Sequence, residues 1–334
     1  MQCVTIPTLY RMKHLSLTKN FIAPFLCLVF FFLTSFCVIS AQSSYKITEK
    51  EVSSCLSFLT DDALLGRDSG SDGILSAANY LEKELKNALV KPYFKTYKDT
   101  LSNFKPTSFN VVGWVEGNDP VLKHEFIIIG AHYDHIGIAQ KPIQNDSIVN
   151  GANDNASGST AVLTLAKYFG QHKFNKRSIL FVFFSAEEKG LLGSKHLAKK
   201  LKDQNFPLYT MLNFEMIGVP LKRNDYTAYI TGYAKSNMVN KLNEYAGKNL
   251  IGFHNIELKY RLFTASDNYP FYQEFNVPSQ TVCTFDFDNY PFYHHPSDEF
   301  AKMDISHITK FINEILPAVE GMANSATKEI QMKK

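Results

Sequence analysis

Apolar runs alternate along the chain with segments whose apolar residues have helical spacing. The run 178–184 has no polar alternation, which is typical of a strand buried on both faces of a sheet. Apolar runs predict strands at 109–115, 125–129, 178–184, 208–214, 226–230 and 280–285. Spacing and capping residues predict helices at 47–60, 74–89, 157–169, 191–201, 236–247, 269–274 and 305–323, with a polar loop at 138–155. This alternation predicts a three-layer α/β fold, a mainly parallel central sheet with helices on both faces.

The N-terminus has the layout of a secretory signal peptide. Arg11, Lys13 and Lys19 precede an apolar run at 21–39, and small residues follow up to Ala41. We therefore predict a signal peptide at 1–41 and one domain at 42–334, exported to the periplasm or the extracellular space. The apolar run is long enough to span a bilayer, so an uncleaved anchor is the alternative.

Charge and cysteine content change with the removal of this segment. It takes away three basic residues and no acidic one, so the 35 Lys and Arg fall to 32, equal to the 32 Asp and Glu. A neutral chain gives no reason to expect nucleic acid or an anionic membrane as a partner. Cys55 and Cys283 remain. A disulfide and two buried free thiols are both open for them.

Polar clusters follow several of the apolar runs. Glu187 and Glu188 come directly after the run 178–184, at the sheet edge where open α/β folds bind ligands. Two imidazoles and three carboxylates lie at strand ends or in adjoining loops: His132, Asp154, Glu188, Glu215 and His294. Mixed nitrogen and oxygen ligands suit zinc, and five ligands with one bridging carboxylate suit two ions. Glu187, beside a ligand, could then move protons.

Five segments carry a resemblance to a known family. In chain order they read GAHYDHIG, NGANDNASG, SAEEKGLLGS, NFEMIG and YHHPSDEF. They resemble the zinc exopeptidase family of secreted bacterial aminopeptidases, dizinc enzymes related to glutamate carboxypeptidases and glutaminyl cyclases. By position, the resemblance implies that His132 and Glu215 bind one Zn²⁺, that Glu188 and His294 bind the other, and that Asp154 bridges both.

The resemblance also implies roles for residues that bind no metal. Glu187 would be the general base, Tyr293 would donate to the developing oxyanion, and Asp134 would orient the His132 imidazole. A cis peptide bond is implied after Asp154. Glu215 stands where many relatives have Asp, and Asn268 stands where many have His, so we assign Asn268 no role. We expect His135 and His295 to support neighbouring groups or loops, and Asp298 to order its loop.

The implied activity is aminopeptidase: metal-activated water would hydrolyse the first peptide bond of a peptide with a free N-terminus. Two alternatives within the fold are a glutaminyl cyclase, with one zinc, and a carboxypeptidase, which would want a basic group for the substrate carboxylate. A non-catalytic binding protein is the alternative of another class, and such a chain would be expected to lose ligands. Candidate walls of a substrate pocket are Tyr290, Phe292 and Phe271. The sequence leaves the oligomeric state open.

Overall fold

The computed structural model describes residues 45–143, 145–222 and 225–333. The predicted signal peptide lies outside these residues. Ile47–Lys334 forms one compact unit by its internal contacts. None of the helices in the described ranges is both long enough and apolar enough to cross a membrane.

The secondary structure confirms the predicted alternation of strands and helices. The helices are α1 Glu49–Leu59, α2 Asp72–Asn87, α3 Gly158–His172, α4 Leu192–Asp203, α5 Met238–Ala246, α6 Ile256–Lys259, α7 Asn268–Phe275 and α8 Ile305–Asn324. The strands are β1 Lys91–Pro92, β2 Lys98–Thr100, β3 Phe109–Val115, β4 Phe126–His132, β5 Gly137–Ile143, β6 Asp146–Val149, β7 Ser178–Phe184, β8 Leu208–Glu215, β9 Ala228–Ile230, β10 Ile251–Gly252 and β11 Ser279–Cys283.

Nine of these strands form one mixed sheet. Its order is β1-β3-β7-β4-β8-β11-β9-β10, and β2 also pairs with β3. The four central strands, β7, β4, β8 and β11, are parallel to one another. Their carboxyl ends therefore meet at one edge of the sheet, as the sequence predicts. Antiparallel strands, β3 and β9, flank this centre on its two sides.

Helices cover both faces of the sheet because the central strands are apolar on both. On one face, Phe181 of β7 packs against Phe169 of α3, with ring centroids 6.2 Å apart. On the other, Phe184 packs against Phe271 of α7 at 5.8 Å, in a buried cluster that also contains Leu197 of α4. Successive side chains of a strand point to opposite faces, so the unbroken apolar run of β7 serves both layers.

The predicted polar loop at 138–155 is wrong in part. It contains most of an antiparallel hairpin, β5 and β6, which pairs outside the main sheet. Most residues of β5 are exposed, so they show neither an apolar run nor alternation between a buried and a solvated face. The strands β1 and β2 were also not predicted, since edge strands of two and three residues leave no periodic signal.

Candidate metal centre

Three adjacent parallel strands bring the candidate residues to one sheet edge. β4 ends at His132 and β8 ends at Glu215. β7 ends at Phe184, and the chain then turns through Ala186, whose φ is 56°, so that Glu187 and Glu188 lie beside the ends of its neighbours. The side chains of three distant segments therefore converge because β4 lies between β7 and β8 in the sheet.

One cluster forms around the His132 imidazole. Its Nε2 lies 2.9 Å from Oε1 of Glu215 and 3.3 Å from Oδ1 of Asp154. Any two ligand atoms of a tetrahedral zinc ion, each about 2.1 Å from the metal, are about 3.4 Å apart. The three side chains thus present one nitrogen and two oxygens with the spacing that a shared ion requires.

A second cluster forms around the His294 imidazole. Its Nε2 lies 3.2 Å from Oδ2 of Asp154 and 3.2 Å from Oε2 of Glu188. Asp154 therefore directs one carboxylate oxygen at each cluster. The structure brings together all five residues predicted as ligands, and it puts the Asp154 carboxylate between the two clusters.

The field of the carboxylates favours positive charge at both imidazoles. Burial alone would lower the pKa of His132, but Glu215 and Glu187 raise it well above its ordinary value. Burial also lowers the pKa of His294, but hydrogen bonds to Asp154 and Glu188 outweigh this effect and raise the pKa to about 10. The pKa of Glu188 is lowered to about 2, because contacts with the two histidines around it outweigh burial. The donor set and this field both fit divalent cations.

Glu187 lies beside the two clusters. Its carboxylate shares a group of possible ligand atoms, all within 4.8 Å of one another, with His132 and Glu188. Burial raises the pKa of Glu187 well above its ordinary value, so the carboxylate has a high affinity for a proton. Its backbone N–H donates to Oδ1 of Asp134 at 3.2 Å, which fixes the turn that carries it.

Asp134 contacts the His132 imidazole mainly through its backbone. Nδ1 of His132 lies 3.1 Å from the carbonyl oxygen of Asp134 and 3.6 Å from its carboxylate. The carboxylate instead accepts from the backbone of Glu187 and from the Ser69 hydroxyl, at 3.0 Å from the latter. Asp134 thus ties the end of β4 to the turn after β7 as well as orienting the imidazole.

The loop that carries Asp154 is tied to the end of β8. The Asp154–Asn155 peptide bond is cis, as the resemblance implies. The Asn155 amide donates to the carbonyl of Phe214 at 2.9 Å, and its oxygen accepts from the backbone N–H of Met216 at 3.1 Å. These contacts bracket Glu215, so the two oxygen ligands of the first cluster are held to one another.

Asp298 holds the same loop from the other side. Its carboxylate accepts from the backbone N–H groups of Asn153 at 2.8 Å and of Asp154 at 3.1 Å, and the Tyr290 hydroxyl donates to it at 2.6 Å. Asp298 therefore orders a loop about 144 residues away in sequence as well as its own. His295 has a local contact, since its Nδ1 accepts from the backbone of Ser297 at 3.0 Å.

Two further side chains contact the candidate ligands: Ser266, which sequence reasoning missed, and His135, which it expected to support a neighbouring group or loop. The Ser266 hydroxyl donates to Oε2 of Glu215 at 2.7 Å, and Nδ1 of His135 lies 2.9 Å from Oε1 of Glu188. Ser266 adjoins the position where the chain departs from the family pattern, at Asn268, so the segment could have been flagged. Asn268 itself contacts backbone carbonyls and Thr281, away from the clusters.

A cavity opens beside the clusters. Candidate ligands and Glu187 line it together with apolar side chains (Met216, Leu262, Ala265, Cys283, Phe285 and Phe287) and with polar ones (Tyr229, Thr231, Ser266 and Thr281). Tyr293 also lines the cavity, and its ring stacks on the His294 imidazole with centroids 3.9 Å apart. Within the described residues, no lysine or arginine lines the cavity.

The three aromatic residues proposed as pocket walls do not line this cavity. Phe271 packs in the core beneath the sheet. Tyr290 is buried and donates to Asp298, and the Phe292 ring packs against Tyr290 and His295. Sequence position near the predicted ligands does not determine which way a ring points, and this prediction was wrong. Cys55 and Cys283 are both free and buried. Of the two alternatives, a disulfide and two buried thiols, the structure therefore has the two thiols.

Comparison with known proteins gives relatives in sequence and in fold. Leucine aminopeptidase 2 of Trichophyton rubrum is 32% identical over 185 residues, which are 53% of this chain and 34% of the relative. The chain thus spans about a third of the length of the curated relatives it matches. LapA aminopeptidase of Legionella pneumophila superposes with a TM-score of 0.65 at 22% identity, covering 84% of this chain and 73% of that one.

The fold is also shared with BSAP, a zinc aminopeptidase from Bacillus subtilis. The TM-score is 0.66 at 16% identity, over 84% of this chain and 97% of that chain. Residues 110–319, which contain the four central parallel strands and every candidate ligand, match the sequence profile of Peptidase family M28. With that match over more than half of its length, the chain belongs to peptidase family M28.

Proposed function

We propose that the protein is a zinc-dependent aminopeptidase with two zinc ions per chain. The observation that carries the proposal is the position of Asp154, whose two carboxylate oxygens lie 3.3 and 3.2 Å from the imidazole nitrogens of two separate clusters. A shared carboxylate between two such clusters is suited to two-metal hydrolysis. The names of the leucine aminopeptidases and of the Bacillus subtilis zinc enzyme support both the activity and the metal.

The chain offers one complete set of ligands for each ion. His132 and Glu215 would hold one zinc, Glu188 and His294 the other, and Asp154 both. When bound, the ions lower the pKa of water toward about 7 and polarise the scissile carbonyl. Three clustered carboxylates are costly to bury without compensating positive charge, so the site itself favours two divalent cations.

Glu187 would serve as the general base. It binds neither cluster through a short contact, and burial raises its proton affinity. Its carboxylate would accept a proton from the attacking water and deliver it to the nitrogen of the leaving amine, a role that contributes about 10²- to 10⁴-fold to a rate. Tyr293 lines the cavity next to His294, where its hydroxyl could donate to the oxyanion of the substrate.

The cavity favours a substrate with an apolar first residue. Its lining includes Leu262, Phe285 and Phe287, and burying an apolar substrate side chain against them removes apolar surface from water. Across the described ranges no basic side chain lines it, and a carboxypeptidase would want one for the substrate carboxylate. The carboxylates in the lining suit the positive α-amino group of a peptide with a free N-terminus.

The test combines metal content with a panel of substrates. The purified protein should contain two zinc ions per chain, lose activity on chelation and regain it when zinc is added back. Leucyl and phenylalanyl nitroanilides should be cleaved at least about tenfold faster than lysyl or glutamyl ones, the scale of one well-filled apolar pocket. N-Acetyl-leucyl nitroanilide, the matched control without a free amine, should not be cleaved. One zinc per chain with cyclisation of an N-terminal glutamine would overturn the proposal.

We also propose that the protein is exported. The basic residues before an apolar run and the small residues up to Ala41 support this. N-terminal sequencing of the protein from its native cells should begin at Gln42, and the activity should lie outside the cytoplasm. A chain that still carries residues 1–41 in a membrane fraction would show the uncleaved anchor instead.

A further inference from the structure

The non-bridging carboxylate of the first cluster uses its two oxygens for different contacts. Oε1 of Glu215 lies 2.9 Å from Nε2 of His132, on the side of the proposed ion. Oε2 of Glu215 accepts a hydrogen bond of 2.7 Å from the Ser266 hydroxyl, and Ser266 in turn accepts from the Asn213 amide at 3.0 Å. One oxygen is thus left for a metal, and a donor holds the other.

Glu188, the non-bridging carboxylate of the second cluster, repeats this division. Its Oε2 lies 3.2 Å from Nε2 of His294, on the side of the proposed ion. Its Oε1 lies 2.9 Å from Nδ1 of His135. That nitrogen is 3.9 Å from Oδ2 of Asp154, longer than any ligand-to-ligand distance within the two clusters. His135 therefore contacts the oxygen of Glu188 that is not paired with His294.

The contact determines which nitrogen of His135 carries the proton. An ionised carboxylate only accepts hydrogen bonds, so the imidazole must donate from Nδ1. Its Nε2 is buried and has no hydrogen-bond partner. With the proton on Nε2 instead, a buried N–H would lack a partner and the Nδ1 lone pair would face a carboxylate oxygen. Both contacts are unfavourable, so the Nδ1–H tautomer is the stable one.

The surroundings of the His135 ring keep it in this orientation. The side chain is fully buried, and the backbone N–H donates to the carbonyl of Arg67 at 3.3 Å. The ring packs against Gly151, where a Cβ atom would lie 2.5 Å from the imidazole Cγ and where φ is +56°. A ring confined in this way cannot change its orientation without displacing the loop that precedes Asp154.

We propose that His135 is a positioning residue that donates from Nδ1 to Oε1 of Glu188 and so makes Glu188 a one-oxygen ligand of a single zinc. The inference rests on the proposed dizinc function and adds a residue to it. Loss of the donor should free Glu188 to rotate and weaken the ion held with His294 by about 10- to 100-fold, the usual effect of removing a group that orients a ligand. The ion held by His132 and Glu215 should keep its affinity.

The test is a zinc titration of the metal-free protein against a chromogenic chelator. His135→Leu removes the donor and keeps a bulky side chain, whereas His135→Asn keeps an N–H₂ donor near the position of Nδ1. The first variant should retain one tight zinc and lose about 10- to 100-fold in affinity for the other, and the second should bind both nearly as the wild type does. Ser266→Ala should weaken the other ion, so the variant with both changes, H135L and S266A, should retain no tight zinc.

Two outcomes would overturn the inference. Either His135→Leu binds both ions as tightly as the wild type, or His135→Asn is as weak as His135→Leu, in which case the ring acts by packing. If the variants fail to fold, long-range ¹H–¹⁵N spectra of histidine-labelled wild type locate the proton directly. A proton on Nε2 would also refute the inference. The spectra do not depend on activity, so a wild type without zinc would count against the dizinc function alone.

Discussion

Arg67 is the buried cation on which the geometry of the metal centre should depend most. Its guanidinium donates from Nε to the carbonyl of Tyr133 at 2.8 Å, and from its terminal nitrogens to Asn150 at 2.6 Å and Gly151 at 3.1 Å, with a further contact to Leu59. Tyr133 follows the ligand His132, and Gly151 precedes the bridging loop. One side chain therefore fixes the backbone of two ligand-bearing segments to the end of helix α1.

The magnitude follows from these contacts. Burial lowers the pKa of Arg67 to about 10, with Asp134 and Asp298 opposing, so the side chain is charged at neutral pH. Hydrogen bonds to a charged group contribute about 1.5–3 kcal/mol each, but the buried charge costs several kcal/mol. Arg67→Met removes the charge and leaves four carbonyls without their donor, and we expect a loss of about 3–5 kcal/mol. Arg67→Lys keeps the charge without the planar fork and should lose about half as much.

Urea unfolding followed by the fluorescence of Trp114, the single tryptophan, measures this loss. A loss of about 4 kcal/mol should also lower Tm by about 8–16 °C for a domain of this size. Lys199→Met is the control, because Lys199 is exposed and pairs with exposed Asp203; it should change stability by less than about 0.5 kcal/mol. An Arg67→Met protein within about 1 kcal/mol of the wild type would refute the reasoning.

Three further predictions concern the base, the thiols and a histidine far from the site. Glu187→Gln should keep its zinc while kcat falls by about 10²- to 10⁴-fold; near-wild-type turnover would remove the base assignment. Burial raises the pKa of Cys55 to about 11 and of Cys283 to about 12, so both should react slowly with a thiol reagent in the folded protein, Cys55 more slowly because Cys283 also lines the cavity. Burial lowers the pKa of His307, so its stabilising contribution should be complete above about pH 6.5 and be lost as pH falls through the folded value. Urea titrations at several pH values should show this loss in wild type and not in His307→Gln.

The sequence predicts the central strands well because strands buried on both faces consist almost entirely of apolar residues. The run 178–184 is apolar at nearly every position, and each of its residues is buried between two layers of helices. The order of the strands cannot be derived in this way. β4 lies between β7 and β8, neither of which follows it directly in the chain, and that arrangement depends on how whole layers pack. The exposed hairpin of β5 and β6 was missed because few of its side chains are buried.

The clustering of the candidate ligands was predictable from residue type and position, whereas the particular contacts that support them were not. Histidines and carboxylates at strand ends are chemically distinctive. Ser266, His135 and Asp298 are ordinary polar residues until the fold brings them within reach of Glu215, Glu188 and the backbone of Asp154. These contacts join segments 51, 53 and 144 residues apart, so no local pattern encodes them. Their geometry depends on loop conformation, which periodicity does not determine.

The metal centre concentrates negative charge in the interior, and this links its stability to its function. Burial raises the pKa of Glu187, of Glu215 and, to about 7, of Asp267, so these carboxylates resist ionisation where they lie. Cations that bind the folded chain offset this cost, and a ligand at 100 times its Kd stabilises a protein by about 2.7 kcal/mol. A variant that disturbs ligand geometry should therefore lose activity and metal-dependent stability together. One that loses activity alone, as we expect for Glu187→Gln, marks a group that acts on the substrate and not on the site.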